Sequence, residues 1–414
     1  MNAIEAPVNG ERLMDDLKRL REFGARGTGV VRTSLSPVDV ASRHWLCGRL
    51  EDAGLDARID GAGNVIGRSR RPGKAVLIGS HTDTQPAGGW LDGALGVICG
   101  LEVARALAES PATRDLAVDV ASWLDEEGRF CGCFGSRSFV GETPAHALDS
   151  LDSTGATGLT LRDALREAGL AGVAPERLDP DRHAVYLEAH IEQGPYLEDE
   201  GNRIGVVTSI VGARNFTVEF DGEQNHAGTT PMPRRRDAAH AMVEFAHSVF
   251  REFPAAAAER SVWTIGEMAL EPNAVSIVPG RARLNLQFRD QDTAVLDRLE
   301  ALARDLLVRA NDGPCRADMR ARTHHSVPAP MDAGLRAHLE RAAERHAPGC
   351  WTSMPSAAVH DAQILARHLP SAMLFVPSIG GISHAFEEDT REEDIALGCQ
   401  VLATATASVL AAAA

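Results

Sequence analysis

The chain has 414 residues, 44% of them hydrophobic, enough for two or three domains around a sizeable core. Asp and Glu total 58 against 42 Lys and Arg, and the resulting net charge of -16 argues against a nucleic-acid partner, which needs a basic footprint. The start lacks the basic and apolar regions of a signal peptide, no segment approaches the ~20 continuous apolar residues of a bilayer span, and seven scattered cysteines form no secreted disulfide framework. A reduced, cytoplasmic protein with no membrane partner is expected.

Along the chain, "KAVLIGS" (74–80) and "LAVDVASWL" (116–124) read as buried strands, with a helix at 95–109 between them. "AVYLEAH" (184–190) reads as a strand with Val185, Leu187 and Ala189 on one face and Tyr186, Glu188 and His190 on the other. This alternation predicts an α/β domain with a central, largely parallel sheet. The texture changes near Val211. A strand at 215–220 precedes a helix at about 235–253, whose Ala238, Met242, Phe245 and Val249 form one stripe. Strands at 262–268 and 283–290, a helix at 294–310 and a strand near 315–323 complete a βαββαβ order. That order predicts a ferredoxin-like α+β unit with an antiparallel sheet. The prolines of "SVPAPMDAG" (326–334) mark an exit linker, after which the α/β texture returns. The chain thus reads as a discontinuous domain, 1–210 with 330–414, interrupted by an inserted domain at 211–329.

The chemistry concentrates at predicted strand ends. "GSHTDTQPAGGWLDG" (79–93) places His81, Asp83 and Asp92 after the first strand. Imidazole binds zinc and related ions, its second nitrogen needs a partner, and Asp83 shares a strand face with His81. "DEEG" (125–128) follows the second strand, where open α/β sheets build sites. One glutamate of such a pair can bind metal while its neighbour serves as a general base. His190 ends the third strand, and His384 lies in the glycine-rich "GGISHAFEE". Together His81, Asp92, Glu127, His190 and His384 supply two imidazoles per metal if one carboxylate bridges, a set suited to two divalent ions ~3.5–4 Å apart. Cys131-Gly-Cys133 reads better as two small buried thiols than as a redox or soft-metal pair.

The motifs "GSHTDT…GGWLDGALGV", "DEEGRF", "EAHIEQGPYLE", "NHAGTTPM", "PNAVSIVPG", "HDA" (360–362) and "GISH" occur in order from about residue 75 to 390. In them the sequence resembles the aminoacylase/peptidase superfamily of dinuclear metallohydrolases, in its N-carbamoyl-L-amino acid hydrolase and allantoate amidohydrolase branch. The resemblance implies that His81, Asp92 and His190 bind one metal and that Asp92, Glu127 and His384 bind the other; such imidazole and carboxylate ligands suit zinc, manganese, cobalt or nickel. It implies that Glu126 deprotonates the bridging water and then protonates the leaving nitrogen. It makes the insert a lid through which a homodimer forms, with His226 stabilising an oxyanion in the neighbouring subunit. Without the resemblance, His226 is a turn histidine before a helix capped by Thr229 or Thr230. Arg289, on a strand face with Asn285 and Gln287, is the implied anchor of a substrate carboxylate, and Gln193 the implied contact of a ureido group.

Three departures bear on substrate. Ser276 stands where the family has a second substrate-binding asparagine, Ala357 and Val359 replace glycines before "HDA", and "DEEGRF" is one residue short. A hydroxyl lacks the amide's paired donor and acceptor. The implied activity is hydrolysis of an N-carbamoyl or ureido C–N bond, giving ammonia, carbon dioxide and an amino acid. An N-acyl amino acid amidohydrolase on the same metals is the alternative, and a non-catalytic metal-dependent binding protein is disfavoured by Glu126.

Overall fold

A computed structural model describes residues 6–322 and 325–413; the last residue of the strand predicted near 315–323 therefore lies outside the described residues. The chain divides into two compact units, one comprising residues up to Thr208 and from Pro330 onward, the other Ser209–Ala329.

The larger unit is built on a nine-stranded sheet. Its centre is four parallel strands in the order Ser371–Val376, His183–Ile191, Ala75–His81 and Ala117–Trp123. All but two residues of these strands, Ala184 and Val185, are buried, as expected where helices cover both faces of a parallel sheet. The sheet is mixed, which corrects the largely parallel expectation. Val65–Ser69 runs antiparallel to Ala117–Trp123, Leu55–Ile59 antiparallel to Val65–Ser69, and Ile204–Ile210 antiparallel to Ser371–Val376. The predicted exit linker is also shorter than read, because Ala329–Pro330 already forms a short strand of this sheet and Asp332 caps the helix Ala333–His346.

Helix Ala94–Glu109 is buried on every side except at its last turn and packs on the central strands. The last helix, Glu392–Ala413, packs against it and against Ala333–His346. Over Glu392–Ala412 that last helix is long and apolar enough, by length and composition, to cross a bilayer, which the sequence reading did not anticipate; more than half of its most apolar window is buried in the protein, including Ile395, Val401 and Leu402.

The smaller unit has four antiparallel strands in the order Val262–Glu271, Arg281–Asp290, Gly212–Asp221 and Arg316–Ala321. Alternation does the work here. Phe216, Val218 and Phe220, with Leu284, Leu286 and Phe288, turn inward against helices Ala238–Ala256 and Thr293–Asn311, while intervening polar residues face outward. The first helix begins later than its sequence pattern, because the side chain of Asp237 accepts the backbone N–H groups of Ala239 and His240. The cap is therefore neither Thr229 nor Thr230; the Thr230 hydroxyl instead donates to the His226 carbonyl at 2.7 Å. Phe288 is fully buried, with ring centroids 5.9 Å from Phe216 and 5.7 Å from Phe253. Phe288→Ala is expected to cost ~3–5 kcal/mol, read as a lower thermal unfolding midpoint; an unchanged midpoint would contradict this packing.

Candidate metal centre

Four adjacent parallel strands deliver their carboxyl ends to one place. His81 is the last residue of Ala75–His81, Glu126 and Glu127 follow Ala117–Trp123, His190 lies at the end of His183–Ile191, and His384 follows Ser371–Val376 after a short turn. Asp92 precedes helix Ala94–Glu109, and the intervening Gly93 is required twice over. Its φ is +65°, and a Cβ there would lie 2.4 Å from the His81 ring. Asp125, Gln193 and His384 also take left-handed conformations, with φ of 60°, 60° and 53°. Such conformations persist only where surrounding contacts enforce them, and here they cluster at the site.

Asp92 is shared between two groups of side chains. Its Oδ1 lies 3.2 Å from His190 Nε2 and 3.6 Å from His81 Nε2. Its Oδ2 lies 3.2 Å from His384 Nε2, which is 3.7 Å from Glu127 Oε2. In each trio, His81–Asp92–His190 and Asp92–Glu127–His384, the donor atoms lie within 4.8 Å of one another. The first trio is buried, whereas the His384 side chain is 51% exposed. His190 Nδ1 donates to the Ile191 carbonyl at 2.9 Å, which turns Nε2 toward Asp92. His81 Nδ1 is 3.0 Å from the backbone carbonyl of Asp83 and 3.8 Å from its carboxylate. The orienting role expected of the Asp83 side chain thus falls mainly to its main chain; the Asp83 carboxylate accepts from Ser34 and from the Glu127 N–H.

Glu126 belongs to neither trio. One carboxyl oxygen lies 3.6 Å from His81 Nε2, and the other accepts a long contact from the Cys133 thiol at 3.9 Å. Burial, opposed by His81 but reinforced by Glu127, Asp361 and Asp92, holds its carboxyl well above the ordinary value. Asp92 moves the other way: burial would raise it, but hydrogen bonds from His190, His384 and His81 keep it well below the ordinary range. Burial and the charge of Asp92 push Glu127 and Glu388 up to about 7, burial with Asp83 pushes Asp125 up to about 7, and burial with Glu188 pushes Asp361 up to about 8. His384 is raised to about 9, chiefly by its hydrogen bond to Asp92. Buried oxygens of Asp83, Asp125 and Asp361 have no hydrogen-bond partner. A dense set of carboxylates with too little positive charge, and nitrogen and oxygen donors converging in two trios, fits two divalent cations.

A third trio, Glu188, His190 and His360, is already satisfied. Glu188 accepts from Ser80, Tyr186 and the Ala362 N–H at 2.8, 3.0 and 3.1 Å, and His360 Nε2 is 2.9 Å from the Ser356 hydroxyl. With the His360 ring edge-on to His190 at 4.5 Å, this group braces a ligand rather than offering a third position. Sequence reasoning also missed Glu388, which accepts the N–H groups of Leu91 and Asp92 and the Ser383 hydroxyl. Its place four residues past His384 was visible, but in "FEED" it reads as a surface acid. Gln85, a hydrogen-bond partner of Glu127, left no sequence signal at all.

Of the substrate residues, Gln193 is at this centre, its amide donating to Asp92 Oδ2 and to the Ser383 hydroxyl, each at 3.1 Å. The others belong to the smaller unit. His226 is exposed on a two-stranded ribbon, Asn225–His226 paired with Ile277–Val278, and the backbone of Ser276 accepts the N–H of the adjacent Ala227. His226 Nδ1 accepts from the N–H groups of Gly228 and Thr229. Arg289 is half-buried, its Nε donating to Gln287 at 3.1 Å.

The fold and donor set define a candidate dinuclear metal centre of the hydrolase type. The chain belongs to peptidase family M20/M25/M40, which it matches over residues 77–408. It is 33% identical to the N-carbamoyl-L-amino acid amidohydrolase of Geobacillus stearothermophilus, over 95% of this chain and 97% of that protein. It is 35% identical to the allantoate amidohydrolase of Escherichia coli K12, over 95% and 96% respectively. The crystal structure of an amidase of the hydantoinase/carbamoylase family from Burkholderia phymatum superposes with a TM-score of 0.90 at 53% identity, covering 98% of both chains. Within the family the chain falls in the carbamoylase and allantoate amidohydrolase branch.

His81→Ala and Asp92→Ala are expected to lose bound metal and activity together, measured as metal stoichiometry on the purified protein; full stoichiometry in either variant would refute the assignment. In metal-free protein, Asp125, Glu127, Asp361 and Glu388 hold protons near neutrality that the unfolded chain has released, and His384 holds one up to about pH 9. All are raised groups, so the folded state binds more protons and stability falls as pH rises, through the carboxyls from about 4 to about 8 and through His384 from 6.5 to about 9. The thermal midpoint of metal-free protein should drop across that window, and a flat or rising profile would count against these environments.

Proposed function

We propose that this protein is a metal-dependent amidohydrolase that cleaves the C–N bond of an N-carbamoyl amino acid or related ureido acid. The observation that carries the reading is the placement of Asp92 between two ligand trios with Glu126, a carboxyl outside both, 3.6 Å from His81. Two divalent ions, zinc or manganese with cobalt or nickel as substitutes, would supply Lewis acidity toward the ureido carbonyl and toward water. Glu126 takes the proton of the attacking water and returns it to the leaving nitrogen, and its raised pKa suits a group that must both accept and give a proton. One water consumed balances release of the amino acid, ammonia and carbon dioxide.

Recognition follows from side-chain chemistry. The Arg289 guanidinium anchors a substrate carboxylate, Gln193 meets the ureido group, Ser276 contributes a hydroxyl, and His226 steadies the developing oxyanion of the partner subunit's reaction. In this reading the insert is a lid and dimerisation domain, and its strand order and two helices support a ferredoxin-like topology for it. Seven unpaired cysteines support a reducing, cytoplasmic setting.

Metal-loaded protein is expected to release ammonia from one or more of N-carbamoyl-L-amino acids, N-carbamoyl-β-alanine and allantoate, while Glu126→Gln, keeping its metals, loses at least ~100-fold in kcat. Turnover of N-acyl amino acids with no ammonia from the ureido panel would replace this substrate class and trace the change to Ser276, Ala357 and Val359.

A further inference from the structure

The segment that joins His81 to Asp92 also takes hold of a third ligand midway. Gln85 Nε2 donates to Glu127 Oε2 at 2.6 Å and lies 3.4 Å from the Glu127 carbonyl, while the Gln85 backbone N–H donates to Glu127 Oε1 at 3.2 Å. Two residues earlier, Asp83 accepts the Glu127 N–H at 3.3 Å. Both carboxyl oxygens and both main-chain polar groups of Glu127 are therefore engaged by residues 83–85.

That grip is itself anchored. Thr84 N–H donates to the Arg32 carbonyl and Arg32 N–H to the Thr84 hydroxyl, both at 2.9 Å, and Val30 and Gly88 exchange backbone hydrogen bonds at 3.0 and 3.2 Å. Pro86 disfavours the helical conformation at Gln85, which lies outside any helix or strand. The Gln85 amide thus reaches Glu127 from a fixed base.

The choice of side chain matters. A carboxylate oxygen has two lone-pair positions, and a neutral amide occupies one while leaving the other for a cation. Lysine or arginine at 85 would neutralise the ligand and compete with the ion for it. The inner trio needs no such help, because its imidazoles are buried and oriented by the backbone carbonyls of Asp83 and Ile191. The outer trio combines a half-exposed histidine with a glutamate held by a side chain.

We propose that Gln85 is the positioning residue for Glu127 and sets the cation affinity of the outer position, Asp92–Glu127–His384, without acting on the inner one. The inference rests on the dinuclear reading above.

The test is a zinc-binding isotherm of metal-free protein, read against a chromophoric chelator, for wild type, Gln85→Met and Gln85→Asn. Methionine keeps the volume and removes the donor; asparagine keeps polarity, shortens the reach, and carries the test if the methionine variant does not fold. Wild type should take two ions in a tight and a weaker step. In each variant the weaker step should lose roughly 10–100-fold in affinity with the tight step unmoved, and raised zinc should restore kcat toward the wild-type value. Two ions in wild type, with both steps unshifted or both falling together in the variants, overturn the role of Gln85 and leave the dinuclear reading standing. A wild type that takes a single ion overturns that reading and this proposal with it.

Discussion

Everything about the larger unit turns on negative charge held out of water. Asp92, Glu126, Glu127, Glu188, Asp361 and Glu388 are packed near one another with histidines as their nearest cationic partners. Burying one unpaired carboxylate costs several kcal/mol, and a protein built only for stability would not gather six. The arrangement makes sense when divalent charge completes it. The shifts in acidity divide accordingly: Asp92, hydrogen-bonded by three imidazoles, is held below the ordinary carboxyl range, while Glu126 and Glu127, each within 4 Å of one imidazole, are pushed above it.

The sheet supplies the precision that such a centre requires. His81 and His190 lie on neighbouring strands, whose hydrogen-bonded separation fixes their spacing, while Asp92, Glu127 and His384 come from the loops that follow strand ends. Those loops are held in uncommon backbone conformations at Asp125, Gln193 and His384, and a side chain is forbidden at Gly93. Around this, Glu188 and His360 brace His190, and Glu388 ties the Ser383 loop to the backbone of Asp92.

Much of this centre could be read before any coordinates. Histidines and acids at the ends of apolar runs stand out, because those runs are the buried strands and their ends are where α/β sheets place chemistry. The smaller unit was legible through its alternation, which is the geometry of a half-buried sheet. What escaped was decided by distant partners. Gln85 meets Glu127 across 42 residues and Glu388 meets Asp92 across 296, and no local pattern marks either. Antiparallel margins escaped for the same reason, since strand direction depends on pairing rather than composition. Asp83 was read through its carboxylate, whereas the atom nearest the imidazole is a main-chain oxygen that every residue type would supply.

The strand Ser371–Val376 lies between His183–Ile191 and Ile204–Ile210, in the interior of the sheet, although it is the last strand in the chain. A polypeptide emerging amino end first therefore holds an open slot in its main sheet until residues 371–376 have been made. The insert, a contiguous stretch with its own apolar core, has no such wait and can collapse while the slot is still empty. His384 arrives only after that closing strand. Synthesis thus completes the insert before the main sheet, and a chain that stops short of His384 lacks one ligand of the centre.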